Sequence, residues 1–134
     1  MNSNNVKLLV VDDEKDVCEY TALHLKRKGY TVLVANEPDE ALSLIKKENP
    51  DIMLLDINLP GMSGIDLLRV VRQFNATVKV IMISGYPMDF QNDLQFKGLD
   101  ILEFMHKPVP LSVLDSMLEK ITDKEKDGHT QIDS

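Results

Sequence analysis

The sequence predicts an α/β fold: a five-stranded parallel sheet with helices covering both faces. Three observations predict it. Five short apolar runs alternate with stretches whose apolar residues recur at helical spacing. Within each run apolar residues follow one another instead of alternating with polar ones, the pattern of strands buried on both sides. The residues just past these runs are charged, hydroxylated or turn-forming, and ligands of such sheets bind outside the carboxyl ends of the strands.

Taken in order, Val6 to Val11 is apolar apart from Lys7 and reads as the first strand. Asp12-Asp13-Glu14 follows, and then Val17, Cys18, Thr21, Ala22 and Leu25 form one helical stripe. Lys26-Arg27-Lys28 and Gly29 close that helix, with bases at its negative end. Tyr30 to Ala35 is the second strand. Pro38 opens the second helix, with Ala41, Leu42 and Ile45 inward, and Asn49-Pro50 stops it. The third strand is Ile52 to Leu55, ending on Asp56, and a loop with Pro60, Gly61 and Gly64 turns the chain tightly. Ser63-Gly64 starts the third helix, with Ile65, Leu68, Val71 and Phe74 inward. Val78 to Ile83 is the fourth strand, ending on Ser84-Gly85. Residues 86 to 98 read as a short, labile helix with Phe90 and Leu94 inward, because Pro87, Asp89, Asn92 and Gly98 lower its propensity. Ile101 to Met105 is the fifth strand, ending on His106-Lys107-Pro108. Pro110 precedes a last helix with Leu114, Met117, Leu118 and Ile121 inward.

The expected organisation is a disordered N-terminus over residues 1–5, one domain over 6–122, and a polar tail or linker start over 123–134. Its 134 residues suffice for a sizeable core. With no Trp and 5% aromatics, that core must be aliphatic. A net charge of −7 argues against nucleic acid or an anionic membrane as a partner, and suits a cation or a basic protein surface. No apolar run approaches the roughly 20 residues of a membrane span. The polar start Met1-Asn-Ser-Asn-Asn5 lacks the apolar region of a signal peptide, so a cytoplasmic location is expected. The single cysteine, Cys18, excludes an internal disulfide and fits a reducing compartment.

The chemistry sits at the strand ends: Asp12 and Asp13 after the first, Asp56 after the third, Ser84 after the fourth and Lys107 after the fifth. Each alone has a plain structural role. Asp12-Asp13 can cap a helix, Asp56 can form an Asx turn, and Ser84 and Lys107 can be loop and surface residues. Together at one sheet edge they are mutually compatible chemistry. Clustered carboxylates repel and raise one another's pKa unless a cation joins them. Carboxylate, carbonyl and water oxygens suit Mg²⁺, which favours substrate phosphate oxygens. A lysine and a hydroxyl beside it are natural phosphoryl ligands. Asp56 is the candidate nucleophile, since a carboxylate can form an acyl phosphate. Cys18 reads as core, His24, His106 and His129 as surface residues, and the methionines as packing, with Met62 and Met88 in loops near the site.

Four motifs carry a resemblance over about Val6 to Thr122. They are Leu8-Leu-Val-Val-Asp12-Asp13-Glu14, Asp51-Ile-Met-Leu-Leu-Asp56-Ile-Asn-Leu-Pro60-Gly-Met-Ser-Gly64, Val80-Ile-Met-Ile-Ser84-Gly85, and Phe104-Met-His-Lys107-Pro108. In these the chain resembles the receiver domain of two-component response regulators. The resemblance implies a flavodoxin-like, doubly wound (βα)5 fold with strand order 2-1-3-4-5. It implies that Asp56 accepts a phosphoryl group from a sensor histidine kinase or a phosphotransfer protein. It implies a Mg²⁺ site made by Asp13, Asp56 and the Asn58 carbonyl, with Asp12 acting largely through water. Lys107, before a cis peptide to Pro108, would pair with phosphoryl oxygens. Ser84 would turn in to the phosphoryl group and Phe104 rotate into the space it leaves. Asn58 and Tyr86 would set water access, hence the lifetime of the phosphorylated state. Such a chain is a self-phosphorylating and self-dephosphorylating switch and not a turnover enzyme.

The resemblance also implies a switching face made by the 86–98 helix, the fifth strand and the last helix, a common site of homodimers. The chain departs from the family pattern at Phe104, where tyrosine is common, and in a Gly98 to Lys107 segment about two residues longer than usual. The stretch after Thr122 is too short for an output domain, so the chain reads as a stand-alone regulator or as a receiver from a longer protein. Two rivals use similar features. A haloacid dehalogenase-type phosphatase needs an acid two residues after its strand-end aspartate, where Asn58 stands. A flavodoxin-like FMN carrier needs an anion cradle after the first strand, where Asp12-Asp13 would repel phosphate.

Overall fold

Central to the computed structural model is β3 (Ile52–Asp56), buried at every position and flanked on both sides by parallel strands. Residues 6–86 and 94–130 are described, with side chains to Asp123. Around β3 stand β1 (Lys7–Val11), β2 (Thr31–Ala35), β4 (Lys79–Ser84) and β5 (Glu103–His106), in the order β2-β1-β3-β4-β5. The crossovers are α1 (Lys15–Arg27), α2 (Pro38–Glu48) and α3 (Gly64–Phe74), and α4 (Leu111–Thr130) follows β5. The register sets Val11 beside Leu55, Asp56 beside Ile83, and Ser84 beside His106, so the strand ends line up along one edge.

Successive side chains on a strand point to opposite faces, and each face has its own core. Leu8, Val10, Ile52, Leu54 and Ile81 pack under α1 and α4, against Cys18, Ala22, Leu25, Leu114, Leu118 and Ile121. Leu9, Val11, Met53, Leu55, Val80 and Met82 pack on the other side, against Ala41, Ile45, Ile65, Leu68 and Val71 of α2 and α3. Local signals end the helices as the residue types require. Asn49 closes α2 in the left-handed conformation at φ 48°, and the Ser63 hydroxyl caps α3 by accepting the Asp66 N–H at 3.1 Å.

Several expectations are corrected. The segment before β5 holds a single 3₁₀ turn, Leu94–Phe96, among the described residues. Most of the expected 86–98 helix, with Met88 and Phe90, lies outside the described residues, as do residues 1–5 and 131–134. Leu94 is 81% exposed instead of inward, and Phe96 takes the core position. Val17 and Phe74 are exposed too, because each sits at the margin of its helix's apolar stripe. His24 is not a free surface residue: its Nε2 lies 2.9 Å from both carboxylate oxygens of Asp115, tying α1 to α4. The side chain of His129 lies outside the described ones. Helix α4 runs on past Thr122 to Thr130, through a charged stretch with no apolar period.

The burial pattern makes a paired prediction. Leu54→Ala opens a cavity under α1 and α4 and lowers unfolding free energy by about 2–5 kcal/mol, whereas Leu94→Ala changes it by less than about 0.5 kcal/mol. Urea denaturation of the two variants measures both.

Candidate phosphoryl and metal site

Three carboxylates converge at the carboxyl edge of the sheet. One oxygen each from Asp12, Asp13 and Asp56 lie within 4.8 Å of one another, with Asp12 and Asp56 buried and Asp13 exposed. Lys107 reaches into this group from the end of β5. Its Nζ stands 2.6 Å from Asp56 Oδ2, 3.1 Å from Asp12 Oδ2 and 3.5 Å from Glu14 Oε1. The other Asp56 oxygen, Oδ1, accepts the backbone N–H of Asn58 at 3.0 Å. Both oxygens of a residue that is 2% exposed are therefore held in fixed directions.

The backbone beneath the site explains this rigidity. Ile57 N donates to the Ile83 carbonyl at 2.9 Å, and Gly64 N returns to the Ile57 carbonyl at 2.7 Å. A Cβ on Gly64 would collide with the Asp56 carbonyl oxygen and come within 2.9 Å of Ile57 Cα. Glycine is thus required where the loop closes against the strand end. The Lys107–Pro108 peptide is cis, and Lys107 N donates to the Ser84 carbonyl at 2.8 Å.

Burial pushes the Asp56 carboxyl above its ordinary pKa, while the Lys107 hydrogen bond and the Asn58 N–H pull it back. Burial alone would lower Lys107. Its bonds to Asp56 and Asp12 outweigh that and hold the ammonium well above the usual lysine range. Lys107 is therefore held as an ammonium, and that cation is shared among acids. Cys18 lies below, its thiol pushed up to about 12 by burial and then by the charge of Asp12, which marks it as an inert core residue.

The structure does not draw every expected residue into this group. Ser84 is fully buried, but its hydroxyl accepts the Tyr86 N–H and donates to the Tyr86 carbonyl, both at 3.1 Å. It is turned onto its own loop. Tyr86 is 64% exposed and Asn58 is exposed. Phe104 is half-buried, its ring edge-on to Phe96 with centroids 5.3 Å apart. Two contributors were missed. Glu14 adds a further acid beside Lys107. Asn36 donates from Nδ2 to the Asp12 carbonyl at 2.8 Å and steadies the acid pair. Asn36 follows β2 directly, so the strand-end pattern that marks the other residues could have found it.

Chemically, the cluster is a hard-oxygen donor set with one resident ammonium. It fits a divalent cation, because the donors are oxygens, two of the three carboxylates are buried, and Lys107 offsets only part of their charge. Asp12, Asp56 and Lys107 also form the polar end of a cavity of about 450 Å³. Apolar side chains of α1 and α4, among them Val17, Leu111 and Leu114, form much of its remaining wall. No helix among the described residues is long and apolar enough to cross a membrane.

Comparison with known proteins agrees with this geometry. The family model described as response regulator receiver domain matches residues 8–119. The chain is 34% identical over 105 residues to the alkaline phosphatase synthesis transcriptional regulatory protein PhoP of Bacillus subtilis; the match takes in 78% of this chain and 43% of that protein. The chain thus spans less than half the length of that relative. A CheY-like response regulator receiver domain protein from Methanospirillum hungatei superposes with a TM-score of 0.79 at 30% identity, covering 91% of this chain and 98% of that one. A two-component response regulator from Clostridium difficile, at 23% identity, shares the fold with a TM-score of 0.82 over 90% of this chain and 98% of its own. With its matching model, its strand order and its acidic strand-end cluster, the chain belongs to the response regulator receiver domain family.

Proposed function

We propose that this receiver domain takes a phosphoryl group onto Asp56 from a phosphohistidine on a sensor histidine kinase or phosphotransfer protein. The observation that carries the reading is the Asp56 carboxylate itself. It is buried at a strand end, bonded to Lys107 at 2.6 Å and grouped with Asp12 and Asp13 within 4.8 Å. Family membership favours neither the phosphatase nor the FMN-carrier reading.

In the transfer, a carboxylate oxygen of Asp56 attacks phosphorus. The new O–P bond forms as the donor's N–P bond breaks, and the released imidazole keeps the electron pair and takes up a proton. Asn58 N–H holds Oδ1, so Oδ2 is the oxygen aimed at Lys107 and at the group that arrives. Lys107, held charged by its acidic neighbours, follows the developing negative charge from the carboxylate to the phosphoryl oxygens. When bound, Mg²⁺ supplies charge neutralisation for the acids and the phosphoryl oxygens. Asp12, Asp13, Asp56 and the Asn58 carbonyl would hold it, Asp12 through water. Hydrolysis reverses the gain: water attacks phosphorus, the acyl O–P bond breaks, and Asp56 returns as carboxylate. Asn58 and Tyr86, both exposed, would govern how readily water arrives.

Phosphorylation places about two negative charges on Asp56. Ser84 would then leave Tyr86 and turn its hydroxyl to the phosphoryl group, and Phe104 would move into the space released. The readout would be the face that includes β5 and α4, by contact with a target, an output domain in a longer chain or a second copy. The exposed apolar Val17 and Tyr20, beside the cavity that ends on Asp56, form the approach for the phosphoryl donor.

Two outcomes follow from this reading. Beryllofluoride with Mg²⁺ shifts the NMR signals of Ser84, Phe96 and Phe104 in the parent chain and leaves Asp56→Asn unmoved; equal responses in the two would reject Asp56 as acceptor. Mg²⁺ alone raises thermal stability, by about 2–3 kcal/mol at a hundredfold excess over Kd. Asp13→Asn is at least as stable as the parent without metal, having lost a repelling charge, and it loses most of the Mg²⁺ gain. Full retention of that gain in differential scanning calorimetry would contradict the proposed ligand set.

A further inference from the structure

Two arginines on one side of α3 reach across to the chain that leads into β5. Arg69 donates from Nη2 to the Gln95 carbonyl at 2.9 Å, while its Nη1 pairs with Asp66 at 2.9 Å. Arg72 donates from Nε to the Leu99 carbonyl at 2.8 Å, from Nη2 to the Asp100 carbonyl at 3.1 Å and from Nη1 to the Asn75 carbonyl at 3.3 Å. Guanidinium groups thus hold the carbonyls of Gln95, Leu99 and Asp100 within one short turn.

That turn is unfavourable on its own. Gly98 has φ 81° and Asp100 has φ 55°, and a non-glycine residue in the left-handed region persists only where its surroundings hold it. Here Arg72 does so, bonding the carbonyls of the two peptides that flank the Asp100 Cα. Burial lowers the Arg72 pKa, against the nearby charge of Asp100, so the fork acts in a partly desolvated place where hydrogen bonds are strong. The turn also carries two buried core residues, Phe96 and Leu99. The Phe96 ring meets Phe104 of β5 edge-on at 5.3 Å and 72°. Phe104 lies opposite Met82 on β4, two residues before Ser84. The contacts therefore run from α3 through the turn to Phe96, and from Phe96 to the aromatic residue of β5.

We propose that Arg69 and Arg72 form a clamp on the 95–100 turn that holds Phe104 in its resting position. This deepens the reading of Asp56 as phosphoacceptor and rests on it. The clamp belongs to a conformation in which the Ser84 hydroxyl is turned onto Tyr86 and away from Asp56. Contacts present in one conformation and lost in the other bias the equilibrium toward the first. Neither arginine bonds to Asp12, Asp13 or Asp56, so both are positioning residues. Their effect is on the equilibrium of the switch and not on the binding of metal.

The test is a beryllofluoride titration of the full chain at saturating Mg²⁺, followed by NMR, for the parent, Arg69→Ala, Arg72→Lys and the double variant. Mg²⁺ affinity is measured separately without beryllofluoride. Loosening the clamp makes the resting state less favourable, so beryllofluoride binds about fivefold tighter in Arg72→Lys or the double variant. Arg69→Ala moves the same way by less, and Mg²⁺ affinity stays at the parental value. Arg69 lies on the surface, so Arg69→Ala alone decides the direction if the Arg72 variants fold poorly. Unchanged or weaker beryllofluoride binding in variants of a responsive parent overturns the clamp alone. A parent that does not respond overturns the phosphoacceptor reading and the clamp with it.

Discussion

The ion pair between Lys107 and Asp56 is the interaction on which the site depends. At 2.6 Å it places an ammonium against a carboxylate that is almost fully buried, with Asp12 and Glu14 sharing the same cation. Each pair of carboxylates at the 4.8 Å limit of the cluster repels by roughly 3 kcal/mol at an effective dielectric of about 20, before solvent reduces it for the exposed Asp13. One lysine offsets part of that. A site left with excess negative charge, facing an opening, is poised for a cation and for a group that brings its own cation. The fold supplies the convergence: β1, β3 and β5 end at one edge because the sheet is parallel and in the order observed.

The two layers of helices divide the work. Under α1 and α4 lies an aliphatic core, with His24 and Asp115 joining the helices at their surface. Under α2 and α3 lies the core that includes Phe96, Leu99 and the half-buried Phe104. The Asp56 carboxylate stands at the end of β3, the central strand that both layers cover. Through neighbouring strands Asp56 is linked to Ser84 on β4 and to Phe104 on β5.

Much of this was legible in the sequence. The strands could be read because Leu8 to Val11, Ile52 to Leu55 and Val80 to Ile83 are short runs apolar at every position, bounded by turn and charged residues, the pattern of a sheet covered on both faces. The strand-end rule then found Asp12, Asp13, Asp56 and Lys107, which the structure groups. It left out Asn36, the residue just past β2, because a neutral amide there does not suggest phosphoryl or metal chemistry; its role is a hydrogen bond to the Asp12 carbonyl. Periodicity failed at Leu94, where a single 3₁₀ turn offers no repeat and the core position is set by Phe104, distant in sequence. His24 reads as a surface residue in the sequence because the histidines have no metal-ligand spacing, and its partner Asp115 lies far along the chain on α4. The polar stretch after Thr122 has no apolar stripe, so pattern alone could not extend α4.

The central claim is that Asp56 is the residue that carries the phosphoryl group. Its most direct test is chemical. The chain is phosphorylated with acetyl phosphate and Mg²⁺, reduced with borohydride, which attacks an acyl phosphate and spares ordinary carboxylates, and mapped by peptide mass spectrometry. The account predicts reduction at position 56 and nowhere else. Reduction at Asp12, Asp13 or Glu14, or at no carboxylate of a phosphorylated chain, would contradict it.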